Sequence, residues 1–418
     1  MILFEHERLR VGETWDSETF TLAQFEAIAR WKDRTNHPGI ELGHRSLKAT
    51  QWVGVLQIGR LTLEILPKAE ADRDGTSRTD LVKKWKGILL EMIGRLEGFD
   101  LRASDKASLR LQDHTLLDVF FHAFLTQTET ILREGLVKTY RQVATNRTAW
   151  RGRLLVSEDL KRNLVHRERV FTAAMEFDVH NTWNRILVAA LRVLSRRTGN
   201  ASLRARAGAL LLPFEDWSFP RLRDEDFARL RFDRRTERYR TAIELARLIL
   251  LECNPDLEAG REEVFSLLFD MNVLWECWVA HEIRRQIGTR PWRLRTQSSR
   301  QFWKSEEGAR KTVRPDLLLE PTGATDEALM LFGGAFIVSE KTVLDTKWKV
   351  LKSAVPSDAD LKQMFVYNEL WAVKRCLLLY PQVHLTESVS GTFRAEDQGR
   401  ESCCGLAFVP VPETRSRA

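Results

Sequence analysis

The chain has 418 residues, 43% hydrophobic and 29% charged, a balance typical of water-soluble globular proteins, and its length calls for two or three domains rather than one core. No apolar run approaches a membrane span and the N-terminus MILFEHERLR has no signal-peptide pattern, which excludes an integral membrane protein and points to the cytoplasm. The formal net charge is +7, much of it from arginine, a side chain suited to two-pronged phosphate contacts; nucleic acid is the natural partner for that balance.

The first hundred or so residues read mostly as β-structure. Trp52–Ile58 and Leu61–Leu66 are strand-like runs separated by Gly59-Arg60, a two-residue hairpin signal, and Pro67 ends the second because proline cannot donate to a ladder. The polar stretch from Ala69 to Thr79 reads as a loop. From about Asp80 the pattern turns helical. Leu116, Leu117, Phe120, Phe121, Phe124 and Leu125 recur at three- and four-residue spacing, and Gly135 ends that helix. Trp183, Ile186, Leu187, Ala190, Leu191 and Leu194 mark a second helix, and Thr241 to Leu251 a third. The last third opens with a predicted helix from about Glu263 to Gln286. Strand-like segments follow at Pro291 to Arg295, Thr312 to Leu319, Leu329 to Ser339 and Lys341 to Val350, then a helix from about Asp358 to Arg375 and a strand from Cys376 to Tyr380. The pattern is multidomain α+β: a β-rich domain over 1–110, a helical middle over 111–262 and an α/β domain over 263–418.

The five cysteines, Cys253, Cys277, Cys376, Cys403 and Cys404, have no zinc spacing with the nine scattered histidines, so they read as reduced structural thiols, and no histidine is assigned to metal or catalysis. The chemistry lies elsewhere. Pro315-Asp316 precedes the apolar run Leu317-Leu318-Leu319, and Asp345-Thr346-Lys347 sits in another strand-like segment. Side chains alternate along a strand, so Asp345 and Lys347 share one face. Carboxylates from two neighbouring strands can hold a hard divalent ion that activates water and balances phosphate charge, while the lysine orients the water or stabilises the phosphate. Gln363 and Tyr367 are four apart on a helix and share a face that could meet backbone or metal-bound water. Glu276, on the helix leading into this region, could complete the carboxylate group. A PD or DxK alone is an ordinary occurrence; the ordered set of helix Glu, strand PD, strand DxK and helix Q-x-x-x-Y is what carries the assignment. Arg293, Arg295 and Arg300, among arginines interleaved with Trp292 and Trp303, flank this region and are candidate DNA contacts, as is Lys349.

The ordered set resembles the PD-(D/E)XK nuclease superfamily, and its Q-x-x-x-Y tail is similar to the RecB-type branch, with an insertion between Asp316 and Asp345. Further segments resemble the McrC family: Val53-Gly54-Val55 through Glu64-Ile65-Leu66-Pro67-Lys68, Gly135-Leu136 with Tyr140, Arg151-Gly152-Arg153-Leu154, and Asp178 with Asn181-Thr182-Trp183-Asn184-Arg185-Ile186-Leu187. That resemblance implies catalytic roles for Asp316, Asp345 and Lys347, with Gln363 and Tyr367 beside them, and a Mg2+ (or Mn2+) ion on Asp316, Asp345 and Glu276. It also implies double-stranded DNA as substrate and a McrB-like hexameric AAA+ GTPase as partner, bound and stimulated through the N-terminal half of this chain. Consistently, the sequence has no G-x-x-x-x-G-K-[ST] phosphate loop of its own. The expected function is that of the DNA-cutting subunit of a modification-dependent restriction complex. Two alternatives stand beside it: a stand-alone RecB-type repair nuclease, and a catalytically inactive activator subunit.

Overall fold

A computed structural model describes residues 1–15, 18–59, 61–67, 77–96, 115–217, 222, 224–251, 264–323, 327–351, 353–383, 387–393 and 402–412. The loop read at Ala69 to Thr79 lies largely outside them, as does Cys253. The packing divides into two compact units: Met1–Glu97 with Glu262–Ala418, and in the main His114–Arg261. Of the three segments expected from the sequence, the first and last therefore share one unit.

In that first unit, the strands β1 (Ile2–Phe4), β2 (Trp52–Ile58) and β3 (Leu61–Leu66) are joined by β4 (Val264–Asp270) from far along the chain, in the order β1-β3-β2-β4. The expected hairpin is present: β2 and β3 pair antiparallel from Gly54↔Ile65 to Ile58↔Leu61. Both strands are buried nearly throughout, which fits their mainly apolar sequences, because helix Leu22–Thr35 packs on β2 and β4 and helix α1 (Arg78–Ile93) on β3. The helix at Leu22–Thr35 was not expected in a β-rich segment. The helix expected from Glu263 is also corrected. Val264 to Asp270 form a strand paired with Ile58 to Trp52, and the helix α2 (Met271–Ile287) begins after it, capped by the Asp270 side chain on the Asn272 amide. A pairing partner some two hundred residues upstream overrides local pattern here. Gly54 makes the pairing possible: its φ is 137°, and an added Cβ would lie 2.0 Å from the Leu267 carbonyl oxygen.

The second sheet of this unit contains β5 (Trp292–Thr296), β6 (Leu317–Pro321), β7 (Thr342–Thr346), β8 (Arg375–Gln382), β9 (Val389–Phe393) and β10 (Ser402–Pro410), ordered β5-β6-β7-β8-β10-β9. Strands β7, β8 and β10 run parallel and the others antiparallel. Helix α3 (Asp358–Trp371) crosses one face and buries Met364, Tyr367 and Trp371 against Leu318, Val343, Leu378, Tyr380 and Phe408. Two expected strands are shorter than read. The first is broken at Arg314–Asp316, with Arg310–Val313 belonging instead to a separate two-stranded ribbon with Arg300–Lys304. The second ends at Thr346. Between β6 and β7 the expected insertion contains a small hairpin, Leu329–Leu331 with Phe336–Val338.

The second unit packs the helices Leu116–Glu134, Thr182–Arg197, Ala201–Leu211 and Arg240–Leu251 together. It is not purely helical: Thr139–Arg147 and Val170–Asp178 pair antiparallel over nine residues, with Arg153–Leu154 at the edge. The NTWNRIL segment has a structural role. Asn181 caps its helix, and Asn184, fully buried, donates to the carbonyls of Val137 and Val179 and accepts from the Tyr239 hydroxyl at 2.8 Å. Gly152 of the RGRL segment has φ 76°, and a Cβ there would meet the Ala173 carbonyl oxygen at 2.3 Å. No helix among the described residues is long and apolar enough to cross a membrane.

Candidate active site

The site is built at one end of the β6–β7 pair. Leu317 of β6 faces Leu344 of β7, so Asp316 and Asp345 occupy adjoining positions across the two strands. Asp316 is fixed from β7: its Oδ2 accepts from the Thr346 amide and from the Thr346 hydroxyl, both at 2.7 Å. Asp345 is only 1% exposed. Lys347 continues the ladder, its amide donating to the Leu379 carbonyl, and its Nζ lies 2.6 Å from Asp345 Oδ2. Side-chain alternation thus puts this pair on the α3 face, as the spacing predicts.

Helix α3 presents the other half. Lys347 Nζ donates to Gln363 Oε1 at 3.0 Å, Gln363 Nε2 donates to the Tyr367 hydroxyl at 2.8 Å, and that hydroxyl donates to the Arg314 carbonyl at 2.9 Å. One row therefore runs Asp345–Lys347–Gln363–Tyr367 and ends on the backbone beside Pro315-Asp316. Tyr367 holds the approach to Asp316 and Gln363 holds the lysine. The four-residue spacing of Gln363 and Tyr367 is what lets them touch.

Charge is unevenly balanced. Burial, then the charge of Asp316, pushes the Asp345 carboxyl up to about 6 even with Lys347 beside it. Glu276, half-buried on α2, is pushed up to about 7 by burial and then by Asp316 and Asp345. Asp345 and Glu276 thus share a neighbourhood that disfavours their charged forms. Burial opposes the charge on Lys347, yet Asp345 outweighs it and holds the amine above its ordinary value, so it stays an ammonium. Burial pushes the Tyr367 hydroxyl up to about 12.

Asp360 was not singled out by sequence. It is 5% exposed, lies one helical turn before Gln363, and sits 3.3 Å from Lys349 Nζ, 3.9 Å from Lys347 Nζ and 3.4 Å from the Tyr380 hydroxyl. A carboxylate at i−3 from Gln363 was the available signal, but Ser357 also uses Asp360 to cap α3, the blander reading. The candidate DNA contacts are dispersed. Arg293 and Arg295 are exposed on β5, and Arg295 is paired with Glu320 at 2.6 Å. Arg300 donates to the Leu370 carbonyl and lies 5.3 Å over the Trp371 ring, and Lys349 is held by Asp360.

Among the described residues no group of three or more His, Cys, Asp or Glu side chains is placed to hold a metal ion, so Asp316, Asp345 and Glu276 are not gathered into one ligand set. The donor set nevertheless fits a magnesium-like ion. Such ions keep several waters and take one or two protein carboxylates, and here Asp345 Oδ2 is buried with no hydrogen bond beyond its ion contact with Lys347. A divalent cation would also offset the burial and the mutual repulsion that raise the Asp345 and Glu276 pKa values.

The fold and this site define a mixed α/β protein with a buried carboxylate–lysine row at a sheet end. The model of the family described as McrBC 5-methylcytosine restriction system component matches residues 47–381, and the chain belongs to that family, as its resemblance to McrC predicts. No curated protein matches the sequence. Among solved structures, the chain resembles one from a half-complex of a tetradecameric assembly of Thermococcus gammatolerans McrB AAA+ hexamers with bound McrC. The identity is 22%, the match covers 100% of this chain and 96% of that one, and the TM-score is 0.69, a likeness of fold along the whole length. It also matches a chain of the cryo-EM structure of the Thermococcus gammatolerans McrBC complex, at 22% identity over 69% of this chain and 88% of that one, with a TM-score of 0.49.

Proposed function

We propose that this restriction-system component is its DNA-cutting subunit, a metal-dependent endonuclease of PD-(D/E)XK type that works on double-stranded DNA with a McrB-like hexameric AAA+ GTPase. The observation that carries the reading is the continuous row Asp345–Lys347–Gln363–Tyr367 with Asp316 beside it. Asp316 and Asp345, with Glu276 completing the group, would hold Mg2+ or Mn2+. When bound, the ion supplies an activated water and balances charge on the phosphate.

The chain's own residues do the rest. Asp345, anchored in β7, and Asp316, fixed by Thr346, give a rigid pair of oxygen donors. Lys347 remains an ammonium, so it acts as a hydrogen-bond donor and positive charge toward the scissile phosphate, not as a base. Gln363 and Tyr367 set the direction of that ammonium. An assembled row of this kind supports an active enzyme over an inactive activator. Family membership favours a partnered nuclease over a stand-alone repair enzyme.

The partner reading draws on the assembly in which the similar fold is found, McrB AAA+ hexamers with bound McrC. In this chain the second unit suits a protein contact, because its sheet carries exposed Tyr140, Met175 and Phe177. The test is cleavage of modified duplex DNA with Mg2+, GTP and the partner ring. Asp345→Ala is expected to cut no DNA while still binding the ring and raising its GTP hydrolysis. Normal cutting by that variant would sink the site assignment.

A further inference from the structure

Resting on the nuclease reading above, we infer that the ribbon formed by Arg300–Lys304 and Arg310–Val313 is an arm that grips duplex DNA beside the active site. It contacts phosphates through Lys304, Arg310 and Lys311 and the apolar faces of sugars through Phe302 and Trp303.

The argument begins with exposure. Every residue of Arg300–Lys304 is exposed, as are Arg310, Lys311 and Thr312, so both faces of most of the ribbon meet solvent. Two large aromatic side chains stand on it at 54% (Phe302) and 50% (Trp303) exposure, where the register shifts between Gln301 and Trp303. A bulge of this kind twists a strand and re-aims its side chains. Exposed aromatics on a twisted two-stranded ribbon have no core to serve.

Charge identifies the occupant. Lys304 pairs in register with Arg310, and Trp303 with Lys311, so cations sit across from a cation and from an aromatic ring. Like charges directly opposite one another weaken a ribbon. Among the described residues none of these three cations has a hydrogen-bonding or ion-pairing partner, whereas Arg295 is neutralised by Glu320 and Arg300 is used at the ribbon's root. The acidic Glu306 and Glu307 lie in the turn at the far tip. Unneutralised cations beside exposed rings match a polyanion whose surface alternates phosphates with the apolar faces of sugars.

Position connects the arm to the chemistry. At its base the Gln297 amide donates to the Asp316 carbonyl at 3.1 Å, and Arg300 bonds the last turn of α3 and covers Trp371. Val313 packs against the core of the second sheet, and the next residue, Arg314, bears the carbonyl that holds Tyr367. Arg314 is also close enough for its charge to act on Glu276. A basic path therefore runs from the ribbon through Arg314 to the carboxylates.

The test uses the full-length chain and a fluorescently labelled duplex oligonucleotide, read by anisotropy in EDTA so that nothing is cut. The variant K304A/R310A/K311A is expected to flatten the plot of log affinity against log salt by about 0.9 for each phosphate it no longer neutralises. F302A/W303A is expected to bind about tenfold more weakly at every salt concentration, with the slope unchanged. K304R/K311R should keep the wild-type slope, and thermal melts check that all variants fold. A wild-type slope in the triple-alanine variant overturns the inference, as does tighter binding of the wild type to an RNA duplex. Retained DNA binding with loss of the AAA+ ring in a pull-down also overturns it, by making the ribbon a protein contact. The two readings fail separately. If Asp345→Ala is dead and the triple variant binds normally, the arm fails and the active site stands. If Asp345→Ala still cuts while the triple variant loses its slope, the active-site reading fails and the arm stands.

Discussion

Asp345 shows how much one residue's setting can decide. Its carboxyl binds a proton more tightly in the folded chain, up to about 6 against an ordinary 3.8, and Glu276 does the same, up to about 7 against 4.5. Both folded values are raised, so the stability these groups contribute is fully present below the ordinary values and is lost as pH rises through about 6 and 7. A divalent ion must displace those protons to bind. The thermal stabilisation by added Mg2+ is therefore expected to be small near pH 5 and to grow toward pH 8. Equal shifts at both pH values, measured by differential scanning fluorimetry, would count against the metal site. Tyr367→Phe removes the donor to the Arg314 carbonyl and the acceptor for Gln363. The expected cost is about 1 kcal/mol of stability, with cleavage roughly ten- to a hundredfold slower because Lys347 loses its alignment. Single-turnover cleavage at saturating Mg2+ is the check, and an unchanged rate would take Tyr367 out of the site.

Among elements, the informative pairs are those that join distant parts of the chain. Strand β4 completes the N-terminal sheet only because Gly54 lets its backbone approach. Gly54→Ala is therefore expected to destabilise the protein by at least about 1–3 kcal/mol, through backbone strain and the clash with Leu267. A melting temperature within error of wild type would contradict the role given to this glycine. In the second unit, Asn184 ties its helix to Val137, Val179 and Tyr239. Asn184→Leu keeps the volume but leaves the buried Tyr239 hydroxyl proton without an acceptor, at about 1–3 kcal/mol, whereas the carbonyls of Val137 and Val179 keep bonds from Asn181. Tyr239→Phe should cost more, since it leaves both the buried Val137 amide and the Asn184 side-chain oxygen without the hydroxyl that pairs with them. Chemical denaturation of the two variants gives that order, and the reverse order would show that Asn184 anchors the network.

For the whole molecule, the division into units changes which fragments can stand alone. The unit containing the candidate active site is assembled from both ends of the chain, and the other lies between them in sequence. A fragment ending at Glu262 lacks β4 and leaves the edge of β2 unpaired, a template for aggregation. Its first hundred residues are expected to aggregate or to add no cooperative transition of their own, although the fragment also contains the whole second unit. Residues 114–261 hold their own helical core and are expected to unfold in one cooperative transition. Circular dichroism melts of both pieces test this: the longer fragment should show only the transition of the shorter one, and a second cooperative transition in it, or none in the shorter, would refute it.

Elements whose signals are local were legible in the amino-acid order alone. The pairing of β2 with β3, the helix closed by Gly135, and the one-face placement of Asp345 with Lys347 and of Gln363 with Tyr367 follow from turn chemistry and from the two- and 3.6-residue periods. The order of the motifs was equally legible, because motif order is a property of the chain. Whatever depends on a distant partner emerged only on folding. Val264–Asp270 became a strand because β2 offered an edge, Asp360 gained its significance from two lysines that arrive from outside its own helix, and Arg295 was withdrawn from the DNA-facing set by Glu320 across the sheet. Pairing energy and charge neutralisation depend on distances of a few ångströms between residues far apart in sequence, and no local pattern encodes those distances.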